Sequence, residues 1–200
     1  MEIIFATKNQ GKLKEIKEIL KDYTVLGMEE VDVHIDVIED GSTFEENAMK
    51  KAVQIMQATG KVVLSDDSGM EIDYLGNEPG VDSANYMGRE TPYDIRNAAI
   101  LDKLEDASEE ARGARYIAVI VAAFPDGKTL SAKGVMHGRI GYEQRGCGGF
   151  GYDPIFYPMG MDKSVAELSP DEKNAISHRG CALREMVELL KRNDYIKRQV

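Results

Sequence analysis

Ile3-Ile4-Phe5-Ala6-Thr7-Lys8-Asn9-Gln10-Gly11-Lys12-Leu13 passes from an apolar, β-favouring run into a polar turn, and beyond it Leu13, Ile16, Ile19 and Leu20 recur at helical spacing. The stretch predicts strand, loop, helix. Ser42 and Thr43 each precede a glutamate by three residues, Glu45 and Glu46, a capping-box signal for a second helix carrying Ala48, Ala52 and Ile55 and ending at Gly60. Val62-Val63-Leu64 predicts a brief strand running directly into an acidic turn, Ser65-Asp66-Asp67-Ser68-Gly69, which sets a carboxylate pair at a strand end. Thr91-Pro92, with Asp94 at the third helical position, opens a helix through Ile95, Ala98, Ile100 and Leu101. Tyr116 to Phe124 and Thr129 to His137 flank Pro125-Asp126-Gly127-Lys128 as a hairpin would. Ser169-Pro170-Asp171-Glu172 caps a short helix, and Leu183, Met186, Leu189 and Leu190 mark a final amphipathic one. Helices alternate with strands early and a hairpin follows later, so the expected fold is α/β, a mixed sheet flanked by helices, as one domain over residues 1–200.

Composition agrees with a globular protein of 200 residues: 42% hydrophobic, 30% charged and 7% aromatic. Lys and Arg number 25 against 35 Asp and Glu, a net charge of −10 that disfavours nonspecific contact with nucleic-acid polymers or anionic membranes. No apolar run approaches the ~18 residues of a spanning helix, and the start lacks signal-peptide character. Cys147 and Cys181 form no metal or disulfide pattern, so a cytoplasmic setting with free thiols is expected.

Four stretches carry potential chemistry. The Thr7 to Lys12 turn lies between a strand end and a helix start, where backbone N–H groups, the helix dipole and the charges of Lys8 and Lys12 suit a phosphate chain. It lacks a P-loop pattern and also reads as an ordinary capped turn. Asp66-Asp67, with Glu39 and Asp40 ahead of the second helix, offers oxygen ligands for a hard divalent ion such as Mg²⁺, or simply solvated turns. Gly146-Cys147-Gly148-Gly149-Phe150-Gly151-Tyr152-Asp153-Pro154 formally contains G-x-G-x-x-G, but Pro154 and Pro158 replace the helix a dinucleotide fingerprint needs. Its glycines admit close backbone approach to a ligand, and Phe150 or Tyr152 offers a face to a planar base. Lys173-Asn174-Ala175-Ile176-Ser177-His178-Arg179 gathers three potential cations near a helix start.

Taken in order, these stretches resemble the inosine/xanthosine triphosphate pyrophosphatase family. The matching residues are Ala6 to Lys12, Ser65 to Gly69 with Pro79-Gly80-Val81-Asp82-Ser83-Ala84, Gly148 to Phe156, and Lys173 to Gly180. Ser65, where a small apolar residue is usual, and Asn85-Tyr86-Met87-Gly88 depart from the pattern. The resemblance implies hydrolysis of noncanonical purine nucleoside triphosphates (ITP, dITP, XTP) to the monophosphate and pyrophosphate, two lobes around a nucleotide-binding cleft, Mg²⁺ as cofactor and a homodimer. By the same similarity Asp67 is the catalytic residue and a metal ligand, with Glu39 as the second metal carboxylate. Substrate contacts fall to Thr7, Lys8, Asn9, Gln10, Gly11, Lys12, Ser68, Phe150, Gly151, Tyr152, Asp153, Lys173, His178 and Arg179.

A −10 chain holds a triphosphate only where Lys8, Lys12, Lys173, Arg179 and Mg²⁺ converge. Phe150, Asp153, His178 and Arg179 are the candidates for reading the purine, since donors to O6 accept hypoxanthine and xanthine but mismatch adenine. The competing readings are a noncatalytic nucleotide sensor, which needs no paired carboxylates, a triphosphatase for modified pyrimidine nucleotides, and a nicotinamide oxidoreductase, which Pro154 argues against.

Overall fold

The opening apolar run becomes β1 (Glu2–Ala6), whose Ile3, Ile4, Phe5 and Ala6 are all buried because neighbouring strands and helices cover both edges and both faces. The structure, a computed structural model, describes residues 2–193 and residue 195. β1 pairs in parallel with β2 (Thr24–Gly27) on one edge and β3 (Val63–Ile72) on the other, with Ala6 opposite Ser65. The sheet runs β2-β1-β3-β4-β5-β6, where β4 is Gly113–Ala123, β5 Thr129–Ile140 and β6 Phe156–Pro158. β5 and β6 are antiparallel. The β4 to β5 connection, residues 124–128, is too short for a parallel crossover, and the Phe124 N–H closes it by donating to the Lys128 carbonyl at 3.0 Å. The sheet is therefore mixed, as expected.

The helices also follow local signals. Asn9 caps α1 (Gln10–Ile19), its side chain accepting from the Lys12 N–H, and Thr43 caps α2 (Phe44–Thr59) in the same way from Glu46. Gly60, at φ 63°, ends α2 in the left-handed conformation that glycine adopts without strain. α3 spans Tyr93–Lys103, so Asp94 is its second residue rather than its third. α4 (Pro170–Ile176) carries a complete capping box from Ser169 and Glu172, and α5 spans His178–Arg192. The strands β2 and β6 have no counterpart in the sequence reading. They are short edge segments that exist because β1 and β5 offer them partners.

The chain divides into two compact units. The first comprises Met1–Asp67, Ala118–Gly134 and His178–Val200, the second Ser68–Ile117 and Val135–Ser177. In the first unit, alternation along β1 sends Ile3 and Phe5 to one face with Leu13 and Ile16 of α1 and Leu183 and Met186 of α5. Ile4 and Ala6 go to the opposite face with Met28, Ile55 of α2 and Val63. The second unit has its own core of Met70, Ile72, Ile100, Leu104, Tyr116, Met136, Ile140 and Phe156.

One local expectation is overturned. Ser65-Asp66-Asp67-Ser68-Gly69 is not a turn after a brief strand; it is the interior of β3, with Ser65, Asp66 and Asp67 buried. Polar residues persist there because each finds a partner: the Ser65 hydroxyl, at the position usually apolar, donates to the Ala48 carbonyl at 2.5 Å.

Close approach between β5 and α5 depends on Gly134. A Cβ at Gly134 would lie 2.0 Å from the His178 carbonyl oxygen and 2.6 Å from the Ala182 nitrogen, both backbone atoms that cannot swing aside. Gly134→Ala is expected to destabilise the protein by about 1–3 kcal/mol, as overpacking does. A urea midpoint equal to wild type would show that α5 yields freely.

Candidate active site

The parallel register decides what stands beside Asp66 and Asp67. With Ala6 opposite Ser65, the polar turn after β1 and the first turn of α1 emerge next to the acidic segment of β3. Lys12 then reaches Asp66 Oδ2 at 3.0 Å. Arg179, near the start of α5, donates from Nε to the same oxygen at 3.2 Å and from Nη1 to Glu15 Oε2. Burial alone would raise the Asp66 pKa, but Lys12, Arg179 and Lys51 overcome it and hold the carboxyl well below the usual range. Asp66 is therefore a permanent anion that organises the cations around it.

Asp67 is pushed the other way. Burial is the largest cause, opposed by Lys12 and Lys51 and reinforced by the negative charges of Glu39 and Asp66, and its pKa rises to about 6. Asn47 of α2 donates to Asp67 Oδ2 at 3.1 Å, and its own Oδ1 accepts from the Gly41 N–H at 2.7 Å, so the amide is fixed at both ends. Lys51, one turn on, pairs with Glu39 at 2.7 Å. Two carboxylates with opposite titration behaviour, adjacent in sequence, make this segment the candidate site.

Stability against pH follows from these directions. Between an unfolded value of about 4 and the folded value of about 6, folded Asp67 holds a proton that the unfolded chain lacks. This group therefore adds stability as pH falls from 6 to 4. Asp66 contributes stability above about 4 that is lost as pH falls below it. Without added divalent ion, the stability advantage of an Asp67→Asn variant over wild type should reach at most about 3 kcal/mol at pH 7.5 and shrink toward zero by pH 4. A pH-independent difference in urea unfolding would contradict the burial of this charge.

The remaining residues of the Thr7 to Lys12 turn support it rather than crowd it. The Thr7 hydroxyl accepts from the Asn9 N–H, and the Asn9 side chain is used in the cap of α1. Gln10 and Gly11 form the first turn of α1, where backbone N–H groups lack intrahelical acceptors. Lys8 lies at the surface, paired with Asp36 at 2.9 Å.

The second unit holds a separate aromatic and ionic cluster. Asp153 Oδ2 accepts from the Phe150 N–H at 2.8 Å and from Lys173 Nζ at 2.7 Å, and the Lys173 ammonium stands 4.4 Å from the Phe150 ring centroid. Tyr116 donates to Asp153 Oδ1 at 3.4 Å, its phenol kept protonated by burial and by the adjacent carboxylate. A Cβ at Gly149 would sit 2.1 Å from Asp153 Oδ2, and its φ is +68°, so only glycine lets the carboxylate fold back onto the Phe150 amide. Ser68 is half-buried on β3.

Lys173, Tyr152 and Arg179 are all buried, each with its own partners. Lys173 pairs with Asp153 and stands over the Phe150 ring, because its ammonium is desolvated and needs the buried carboxylate. Tyr152 does not present a face to a ligand. Its ring packs in the second core and edge-on against Tyr93 at 5.2 Å, and its hydroxyl donates to the Ser83 carbonyl. Arg179 donates to Asp66 and Glu15 within the first unit, where His178 also lies. Glu15, Asn47 and Lys51 escaped the sequence reading. Asn47 and Lys51 stand one helical turn apart, each beside a buried alanine, Ala48 and Ala52; a polar residue on the buried flank of an amphipathic helix is the signal that would have found them.

Comparison with known proteins gives concordant matches. The sequence model of the Ham1 family matches residues 3–189. A dITP/XTP pyrophosphatase of Desulforamulus reducens is 43% identical with all of both chains covered, and one of Bacillus subtilis is 44% identical over 94% of this chain and 96% of its own. The solved structure of the Staphylococcus aureus Ham1 protein superimposes with a TM-score of 0.86 at 40% identity, covering 96% of this chain and 100% of that one.

Proposed function

The chain belongs to the Ham1 family, and from that premise we propose that it hydrolyses noncanonical purine nucleoside triphosphates such as dITP, ITP and XTP to the monophosphate and pyrophosphate. The observation that carries the reading is Asp67, a buried carboxylate near neutrality beside a permanently ionised Asp66, oriented by Asn47 and flanked by Lys12 and Lys51. A sensor needs no such poised pair.

Water attacks the α-phosphorus, the bond to the bridging oxygen breaks, and pyrophosphate leaves. Asp67 orients that water and takes its proton. Lys12, Lys51 and the N–H groups at the start of α1 hold the phosphates and balance their charge. Phe150 offers a face to the purine, and the Lys173–Asp153 pair supplies hydrogen-bonding groups at its edge.

The donor chemistry also fits Mg²⁺. Among the described residues no three His, Cys, Asp or Glu side chains gather as a metal cage, and Mg²⁺ typically takes only one or two carboxylates, leaving water and substrate phosphate to complete its shell. Glu39 and Asp67 would hold it, and when bound it neutralises phosphate oxygens. The same reading makes the protein a cytoplasmic homodimer; among the described residues no helix is long and apolar enough to cross a membrane.

Incubation with ITP, XTP, dITP, GTP, ATP and dUTP, with product analysis, tests the reading. ITP should yield IMP and pyrophosphate at a rate far above ATP, EDTA should abolish turnover, and excess Mg²⁺ should restore it. Release of orthophosphate, or a dUTP preference, would overturn it.

A further inference from the structure

The strip Phe150-Gly151-Tyr152-Asp153 contains one position with no side chain to anchor it. Gly151 has φ +70°, and the nearest atom to a Cβ built there is a Tyr93 ring carbon at 3.7 Å, an ordinary contact distance, so no side chain of its own wedges this peptide in place. The Phe150 amide is tied to Asp153 and the Tyr152 hydroxyl to Ser83. The orientation of the intervening peptide therefore rests on whatever binds the Gly151 carbonyl. That group is Asn97 of α3, whose Nδ2 donates to it at 3.2 Å and to Gln144 Oε1 at 3.3 Å.

Asn97 is 1% exposed, and its Oδ1 meets no donor among the described residues. All its hydrogen bonding is donation from one nitrogen. The helix that carries it is itself locked. Arg96, 1% exposed, donates from Nη1 to the Ser83 and Ala84 carbonyls and from Nη2 to those of Gly88 and Arg89. Ser83 is the residue whose carbonyl also receives Tyr152, so α3 grips the strip at two points, directly through Asn97 and indirectly through Arg96. Tyr93, one turn before Asn97, lies beside both Gly151 and Tyr152.

We propose that Asn97 is a positioning residue for base selection: by holding the Gly151 carbonyl it fixes the angle of the Phe150 ring relative to the Asp153–Lys173 pair, and so sets the preference for a 6-keto purine. This rests on the reading that the strip meets the base. The phosphates and the attacking water are handled by Asp67 and Lys12, so disturbing the strip acts on substrate binding and not on the chemical step.

The test compares Asn97→Asp, Asn97→Ala, Gln144→Ala and Tyr93→Leu with wild type for kcat and KM toward ITP and ATP, and for inhibition by pyrophosphate. Asn97→Asp preserves shape but sets an acceptor against two oxygens. The Asn97 variants should raise KM for ITP about tenfold, the scale of a lost buried hydrogen bond, while kcat for ITP, KM for ATP and pyrophosphate inhibition stay within about twofold. Gln144→Ala should leave the ITP-to-ATP ratio unchanged, which assigns the effect to Gly151. Equal losses for both nucleotides, or an unchanged ratio in folded Asn97 variants, would overturn the proposal. Should the Asn97 variants fail to fold, the half-exposed Tyr93→Leu must itself lower the ratio, and a wild-type ratio there would overturn it. If wild type itself fails to prefer ITP over ATP, the functional reading fails instead, which is a separate result.

Discussion

Asp67→Asn should lower kcat for ITP by about 10³-fold or more while leaving the protein folded and, in the absence of divalent ion, more stable than wild type. The amide keeps the volume of the carboxylate, so packing in β3 is undisturbed. It removes an ionised group that sits 8% exposed and near two other negative charges, Glu39 and Asp66. At pH 7 that carboxylate is held in its charged form against burial, which costs the fold stability and is the state the reaction needs. Catalytic loss and stability gain should therefore appear together, and the combination separates this residue from one that merely supports the fold. Circular dichroism, urea unfolding and pyrophosphate release on one preparation are sufficient. A folded variant with kcat within tenfold of wild type would remove Asp67 from the reaction; a destabilised one would mean that the charge is better solvated than its burial indicates.

Asp66→Ala should produce the largest loss of stability, about 3–5 kcal/mol, the cost of breaking a buried ion pair from one side. Asp66 is 1% exposed and accepts from both Lys12 and Arg179, whose guanidinium is itself 2% exposed. Removing the carboxylate takes away a charge partner of that guanidinium and leaves Lys12 without its partner at 3.0 Å. The double variant Asp66→Ala with Arg179→Met should recover part of the loss, because the uncompensated charge goes with the arginine. Strict additivity of the two single losses would show that Arg179 draws its stability from Glu15 and packing.

The division between what was legible in the chain and what was not follows the range of the forces involved. Caps, helix spans and the sheet's mixed character could be read from residues within a few positions of one another: Asn9 and Lys12, Thr43 and Glu46, Ser169 and Glu172, the connection 124–128. The residue types of the candidate site were proposed from the same local information, as motifs in order along the chain. Which of those residues meet was not. Asp66 and Asp67 read as a solvated turn because charged residues disfavour a buried strand, and only the register Ala6 to Ser65 and the arrival of Lys12, Asn47 and Arg179 make that burial tolerable. Lys173 and Arg179, six residues apart, looked like one cationic group. The fold gives each a different buried carboxylate, Asp153 for one and Asp66 for the other. Hydrogen-bond geometry within a turn is a property of the local chain, whereas desolvation and the choice of counter-charge exist only after distant segments have packed. The sequence by itself determined the helices, β1, the β4–β5 hairpin and the chemistry available, and the tertiary structure decided the edge strands, the length of β3, which carboxylate stays charged, and which is poised to take a proton.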